Sequence, residues 1–342
     1  MQTKIVYAIA SKMDGLYFEQ AYISMTSLRI YNPEAWVILV VDDFSNRVLE
    51  NKLFSFDSLI NEKKVIEIIN PKLTTNQRSR WLKTSLREHI QGDFLFIDAD
   101  TVICSKLDEI DEFESDMGAV PDFHVSLVSN PFSDLYLVPQ CKTIKHVPYQ
   151  EKFYFNSGVI CVKDNEKTRN FYDRWHKDWK RGIIYGINYD QPTFNKTNHM
   201  FGSMIKELHG SWNCQLKFGL PFYGGTIKIL HYLITFKGIE NIHYMTNSNI
   251  YEHLANTGKI DDITINVIKN PLWNFISPVV IIGKRELDFQ TTSIARIVMN
   301  LYYKRKILFT IINKIASLVF KLEEFINTIT VKLKYRYSRK KY

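Results

Sequence analysis

Apolar runs alternate with stretches of helical spacing through the first hundred residues. Residues 4–10 (KIVYAIA) combine β-branched and aromatic side chains in the manner of a strand. Residues 18–31 carry Tyr22, Met25 and Leu28 at helical spacing, and Asn32-Pro33 ends that helix. Residues 36–41 (WVILVV) are apolar without a break, as expected of a strand buried on both faces. Residues 46–59 read as helix, 65–69 as a third strand and 80–90 (RWLKTSLREHI) as a further helix. Gln91-Gly92-Asp93 then turns the chain into an apolar strand, residues 94–97. Alternating β and α elements with doubly buried strands predict an α/β fold on a parallel, doubly wound sheet.

The pattern continues less regularly. Residues 117–122 (MGAVPD) read as a short strand, and residues 123–148 as a long excursion without a period. Residues 153–162 form a strand pattern interrupted by Asn156-Ser157-Gly158. Residues 166–181 form a helix with Phe171, Trp175 and Trp179 on one face, a stripe read as core packing. A helix begins in residues 189–195 (YDQPTFN), where Pro192 suits a first turn. Residues 228–232 (KILHY) are a short strand, residues 243–258 look helical, and residues 294–330 read as two amphipathic helices.

The candidate chemistry starts where the fourth strand ends, at Asp98-Ala99-Asp100. In open α/β sheets ligands bind at the carboxyl edge of the strands. Carboxylates at i and i+2 share one side of an extended chain and repel unless a positive group lies between them. A divalent cation with a diphosphate is one candidate; a turn cap or a solvated loop fits the same residues.

Composition narrows the class. Hydrophobic content of 45% and charged content of 23% are those of a globular protein, so global disorder is excluded. Cys104, Cys141, Cys161 and Cys214 have no CxxC or zinc spacing and read as free thiols of a reducing compartment. The first residues enter a strand with no signal-peptide architecture, and no apolar run reaches about 20 residues, so the expected location is cytoplasmic. The net charge of +8 is uneven: from Lys304 onward eleven Lys and Arg face only Glu323 and Glu324. The body is therefore near neutral and the tail basic.

Four short stretches stand in a fixed order: DADT at 98–101, FNSG at 155–158, DQPTFN at 190–195 and HYLITFK at 231–237. Together with the first strand and the helix before the DAD strand, they resemble glycosyltransferase family 8 over residues 1–240. The resemblance implies a GT-A, Rossmann-like fold: a mixed, mainly parallel central sheet flanked by helices, here with a C-terminal helical extension. It also implies retaining transfer from a nucleotide sugar, expected to be a UDP-hexose, assisted by Mn²⁺ or Mg²⁺. Asp98, Asp100 and His231 become the implied metal ligands, and the imidazole favours Mn²⁺. Ala8, Ala10 and Ser11 are expected to line the base and ribose pocket. Lys83, with Arg80 as a competitor on the same helix, and Lys237 are expected near the diphosphate, and Asp100 is also expected to neighbour the ribose. Asp42 and Asp43 end the second strand, where they contact the nucleotide or cap the turn. Asn156, Asp190 and Gln191 fall on the donor-sugar side, and Asp190 also fits a helix N-cap. After His231 the chain departs from the family pattern: Ile234 stands where the family has Gly, and Gly238-Ile239 where it has Pro-Trp.

The organisation read from the sequence is a catalytic domain over 1–240, its C-terminal part over 241–290, and an amphipathic, basic tail over 291–342. The tail reads as an anchor on an anionic inner-leaflet surface, or as a helical pair packed on the core. The expected acceptor is a glycan or a lipid-linked glycan of the lipopolysaccharide or capsule type. Nucleic acid is not expected as a partner, because no recognition module accompanies the basic tail. A nucleotidyltransferase would want a basic, Gly-rich loop after the first strand, which SKMDGLYFEQ does not supply. A non-catalytic nucleotide-sugar or glycan-binding protein is the remaining alternative.

Overall fold

The computed structural model describes residues 1–70, 72–130, 133, 137–146, 151–216, 227–233, 235, 243–271 and 288–338. Lys237, Ile234 and Gly238-Ile239 lie outside them. The chain divides into two compact units, Met1–Gly283 and Lys284–Tyr342.

The first unit opens with β1 (Lys4–Ile9), α1 (Tyr17–Tyr31), β2 (Val37–Asp42), α2 (Asp43–Glu50), β3 (Glu62–Ile66), α3 (Thr75–Thr84), α4 (Leu86–His89), β4 (Phe94–Ile97), β5 (Thr101–Ile103) and β6 (Met117–Pro121). It continues through α5 (Val138–Thr143), β7 (Phe155–Val162), α6 (Glu166–Ile184), α7 (Gln191–Met200), β8 (Ile205–Glu207), β9 (Cys214–Gln215), β10 (Ile229–His231), α8 (Ser248–Thr257) and α9 (Asp262–Lys269). The second unit contains α10 (Ser293–Lys304) and α11 (Lys306–Ser338).

A seven-stranded sheet runs β3-β2-β1-β4-β7-β6-β8. Every neighbouring pair is parallel except the two that involve β7. The sheet is therefore mainly parallel and mixed rather than wholly parallel. Successive residues of a strand face opposite sides, and β1 shows the consequence: Ile5, Tyr7 and Ile9 join one core, Val6 and Ala8 the other. The first core packs α1, α8 and α9 against the sheet; the second packs α3, α4 and α6. Phe171, Trp175 and Trp179 are fully buried, as the stripe on α6 predicts.

Several boundaries differ from the sequence expectation, each for a local reason. The third strand is Glu62–Ile66, not 65–69; it is an edge strand, and its Glu62-Lys63-Lys64 start is the charged composition that keeps edges from pairing with other chains. The expected helix over 80–90 starts earlier, at a capping box of Thr74 and Gln77, and breaks at Ser85. There the Ser85 hydroxyl donates back to the Trp81 and Leu82 carbonyls and competes with the helix ladder. Residues 155–162 form one buried strand; β4 pairs with Val159–Val162 and β6 with Phe155 and Ile160–Val162, so the irregularity that the sequence shows at Asn156-Ser157-Gly158 falls where the β6 register shifts. The excursion after residue 122 contains the short helix α5, and α9 forms where the sequence pattern was weak.

A second, three-stranded sheet runs β5-β10-β9. β5 follows directly from the DAD turn and pairs antiparallel with β10, His231 opposite Thr101. This register brings residue 231 beside residue 100.

Candidate active site

β4 ends at Ile97, and the Asp98 N–H donates to the Gly158 carbonyl of β7 at 2.8 Å. The antiparallel β7 thus starts where β4 ends, and its first residues lie beside the DAD turn. From the other sheet, the Tyr232 N–H donates to the Asp100 carbonyl at 3.1 Å. Asp98, Asp100 and His231 each offer one ligand atom, and these atoms all lie within 4.8 Å of one another. Among the described residues, no other three His, Cys, Asp or Glu side chains are so grouped.

The set fits a divalent cation. His231 Nε2 faces Asp100 Oδ1 at 3.2 Å, while Nδ1 is already engaged with Asn213 Oδ1 at 2.9 Å. A ligating histidine characteristically spends its other ring nitrogen on such a second partner. Burial raises the Asp98 pKa, the Asp100 charge adds to that, and Lys83 only partly opposes it, so Asp98 lies above the ordinary carboxyl value. Burial also acts to raise Asp100, but the neighbouring His231 outweighs it and holds Asp100 below the ordinary value.

Lys83 is not on a solvated helix face. It is 5% exposed, and its Nζ reaches Asp190 at 3.2 Å, Ser157 at 3.3 Å and Asp98 at 3.4 Å, over the Phe96 ring. Arg80 reaches the other Asp190 oxygen at 3.5 Å. Asp190 stands at the N-cap position of α7, yet its side chain makes no capping bond. It forgoes a cap, an interaction of roughly 1 kcal/mol, and turns to Lys83, Arg80 and the Ser157 hydroxyl, which donates at 2.8 Å. Burial pushes the Asp190 pKa up, but these cations and the hydroxyl more than offset it and keep the carboxyl ionised at neutral pH. Trp175 fixes the turn by donating its indole N–H to the Asp190 carbonyl at 3.2 Å. The aromatic stripe of α6 is core, and one of its members also holds the site.

Asn156 is 6% exposed. Its Oδ1 accepts from Gly158 N–H and from Asn213 Nδ2, both at 2.9 Å, and its Nδ2 donates to Asp122 at 3.1 Å. Its side chain is thus bonded within the protein, behind His231. Gln191 is half-buried in the first turn of α7, beside Asp190.

Ala8, Ala10 and Ser11 are buried at the carboxyl end of β1. β1 and β4 pair as Lys4↔Phe94 and Val6↔Phe96, and the same offset carries Ala8 to the level of Asp98. Asp42 is a structural residue: it caps α2 through Ser45 N–H at 2.5 Å and pairs with Arg78 at 2.7 Å. Asp43 also meets Arg78, at 3.2 Å. Asp122 and Asn213 were not singled out by the sequence, and Ser157 was noted only as part of FNSG. Asp122 and Asn213 are common polar residues with no motif spacing to the rest, and only the paired strands bring them to the site.

The profile of glycosyl transferase family 8 matches residues 8–247. No curated protein sequence matches the chain. Among solved structures, the chain is similar to apo mouse xyloside xylosyltransferase 1, with 14% identity over 68% of this chain and 98% of that one, TM-score 0.47. It is similar to the galactosyltransferase LgtC in complex with donor and acceptor sugar analogues, with 14% identity over 77% and 99%, TM-score 0.47. It is also similar to the glycosyltransferase GlyE of Streptococcus pneumoniae TIGR4, with 14% identity over 82% and 67%, TM-score 0.45. The mixed, mainly parallel sheet flanked by helices is the architecture that the resemblance to the family implied. With the family profile spanning well over half of its length, the chain belongs to glycosyl transferase family 8.

Proposed function

We propose that this glycosyltransferase is metal-dependent and retaining, and that it moves a hexose from a UDP-sugar to a glycan or lipid-linked acceptor. The observation that carries the reading is the convergence of Asp98, Asp100 and His231 at the end of β4, beside Lys83 and Asp190. Asp98, Asp100 and His231 hold Mn²⁺ or Mg²⁺. The ion, when bound, offsets the charge that grows on the diphosphate as the sugar bond breaks.

The chain's own residues do the rest. Ala8, Ala10 and Ser11 offer small side chains against which the nucleoside packs. Lys83 supplies a buried cation next to the carboxylates. Asp190, kept ionised, accepts hydrogen bonds from sugar hydroxyls, and Gln191 flanks the same turn. Gln191 lies on the face where double displacement would need a nucleophile, and an amide is a poor one. The acceptor hydroxyl therefore attacks on the leaving-group face and passes its proton to a phosphate oxygen. Lys237 completes the diphosphate contacts in this reading.

The same proposal places the protein on the inner face of the cell membrane. α11 carries an exposed apolar stripe, Leu308, Ile311, Ile315, Leu318, Leu322 and Phe325, each between 47% and 68% exposed. Among the described residues, no helix is long and apolar enough to cross a membrane. Apolar residues at this spacing also suit a second copy of the helix. The Lys and Arg that flank the stripe favour an anionic lipid surface instead.

The test is UDP release from a panel of UDP-sugars with Mn²⁺, with EDTA and with Asp100→Asn. One UDP-sugar turned over with Mn²⁺, and lost with EDTA and in the variant, is the expected outcome. Turnover indifferent to EDTA and to the substitution overturns the metal-dependent reading.

A further inference from the structure

Behind His231 lies a line of buried polar residues: Asp122, Asn156, Asn213 and His231 are 7%, 6%, 0% and 2% exposed. Buried polar groups that are fully paired specify one arrangement. The direction of every bond in this line follows from one end. The Gly158 backbone N–H can only donate, so the Asn156 atom that meets it at 2.9 Å is the carbonyl oxygen. The same oxygen meets Asn213 at 2.9 Å, so the facing Asn213 atom is the NH₂. The other Asn213 atom is then the oxygen, and it faces His231 Nδ1 at 2.9 Å. His231 Nδ1 must therefore carry the proton. The Asn156 NH₂ points to the Asp122 carboxylate, an obligate acceptor, and closes the line consistently.

The far end is held against strain. Phe123 and His124, which follow Asp122, both take left-handed backbone angles, φ 59° and 60°. Such angles cost of order 1 kcal/mol or more for non-glycine residues and persist only where the surroundings enforce them. Gln215 of β9 does so: its side chain accepts from Phe123 N–H and donates to the Pro121 carbonyl, and its backbone N–H donates to His124 Nε2. β9 also carries Cys214, next to Asn213, so one short segment clamps both ends of the line.

We propose that Asn213, set by Asn156 and Asp122, is the positioning residue of the metal centre: it fixes His231 as the Nδ1–H tautomer and so dedicates Nε2 to the cation shared with Asp98 and Asp100. The inference rests on the metal reading given above. It assigns no ligand role to Asn213. It gives Asn156 of FNSG a purpose that lies behind the imidazole as well as beside the sugar.

The test is a cycle of Mn²⁺ affinities, read from the free-Mn²⁺ electron paramagnetic resonance signal, for the full-length chain, Asn213→Ala, His231→Ala and the double variant. Loss of an outer partner of a ligating histidine weakens metal affinity by about 10- to 100-fold. Asn213→Ala is expected to lose affinity within that range, and to lose nothing further when His231 is already Ala. Equal loss in both backgrounds would mean a general structural role and would overturn the proposal, as would no loss in Asn213→Ala alone. If His231→Ala binds Mn²⁺ as well as the wild type, the metal reading itself fails. Imidazole ¹⁵N spectra of the wild type with Mg²⁺ give a readout that does not depend on the variants folding. A protonated Nδ1 at His231 is expected, and a protonated Nε2 overturns the assignment.

Discussion

At the scale of single residues, Gly158 is tightly constrained by the site. A Cβ there would collide with the His231 ring, 2.8 Å from Nδ1 and closer still to Cε1. The residue's backbone meanwhile serves both sides of the site: its carbonyl receives Asp98 N–H and its N–H orients Asn156. Gly158→Ala is expected to push the imidazole off its line and lower Mn²⁺ affinity by about 10-fold or more. Titration of Mn²⁺ against the variant checks this, and circular dichroism verifies that the sheet is intact. Unchanged affinity would mean that the ring relaxes without cost. His243 makes a second residue-scale case. It is fully buried, its Nε2 donates to the Pro271 carbonyl at 2.6 Å and its Nδ1 accepts from Met245 N–H. Burial lowers its pKa to about 4, against the opposing pull of the Pro271 carbonyl. The unfolded chain, with a histidine pKa of about 6.5, then binds more protons than the folded one between those values. Stability present above about pH 6.5 falls as the pH drops toward 4, by up to about 1.4 kcal/mol per pH unit from this group. Urea unfolding at pH 6.5, 5.5 and 4.5 should show a shallower decline for His243→Gln than for the wild type.

Among the elements, those with strong periodicity were legible and those that depend on a partner were not. β1, β2 and β4 were read from their apolar pattern because burial on both faces leaves an unbroken hydrophobic run, and α6 from its one-sided aromatic stripe. β3 was misplaced because an edge strand is selected for charge as much as for burial, and Lys63 and Lys64 do not look like sheet. The site divided in the same way. Asp98, Asp100, His231, Asp190 and Lys83 stand in or beside recognisable stretches, and the structure brings them together. Asp122 and Asn213 carry no local signal; they matter only through pairing with residues far away in sequence. α11 is the element whose role is proposed from its surface. If it lies on anionic lipid, vesicles containing phosphatidylserine should co-sediment the protein, and purely phosphatidylcholine vesicles should not. Each of Lys314→Glu and Lys321→Glu should weaken that binding at least about fivefold, since one cation near such a surface contributes about 1 kcal/mol. Equal sedimentation with both kinds of vesicle would argue for apolar insertion alone, and none with either would remove the membrane from the proposal.

For the whole molecule, the main lesson is that two sheets of different construction meet at one turn. The seven-stranded sheet is built from segments that end by Glu207. The three-stranded sheet waits for β10, because β5, which closes at Ile103, has no other hydrogen-bonded neighbour in its sheet. The candidate metal ligands are split between them, Asp98 and Asp100 early and His231 late. At a synthesis rate of about 5 to 20 residues per second, the interval from residue 103 to residue 231 is roughly 6 to 26 s. Only between Glu207, where the last strand of the large sheet ends, and His231 does a nascent chain carry every strand of that sheet with two of the three candidate ligands. Under the proposed function, competence to react is thus a closing event in the life of the chain: a ribosome-bound fragment that already has its large sheet still lacks the third ligand.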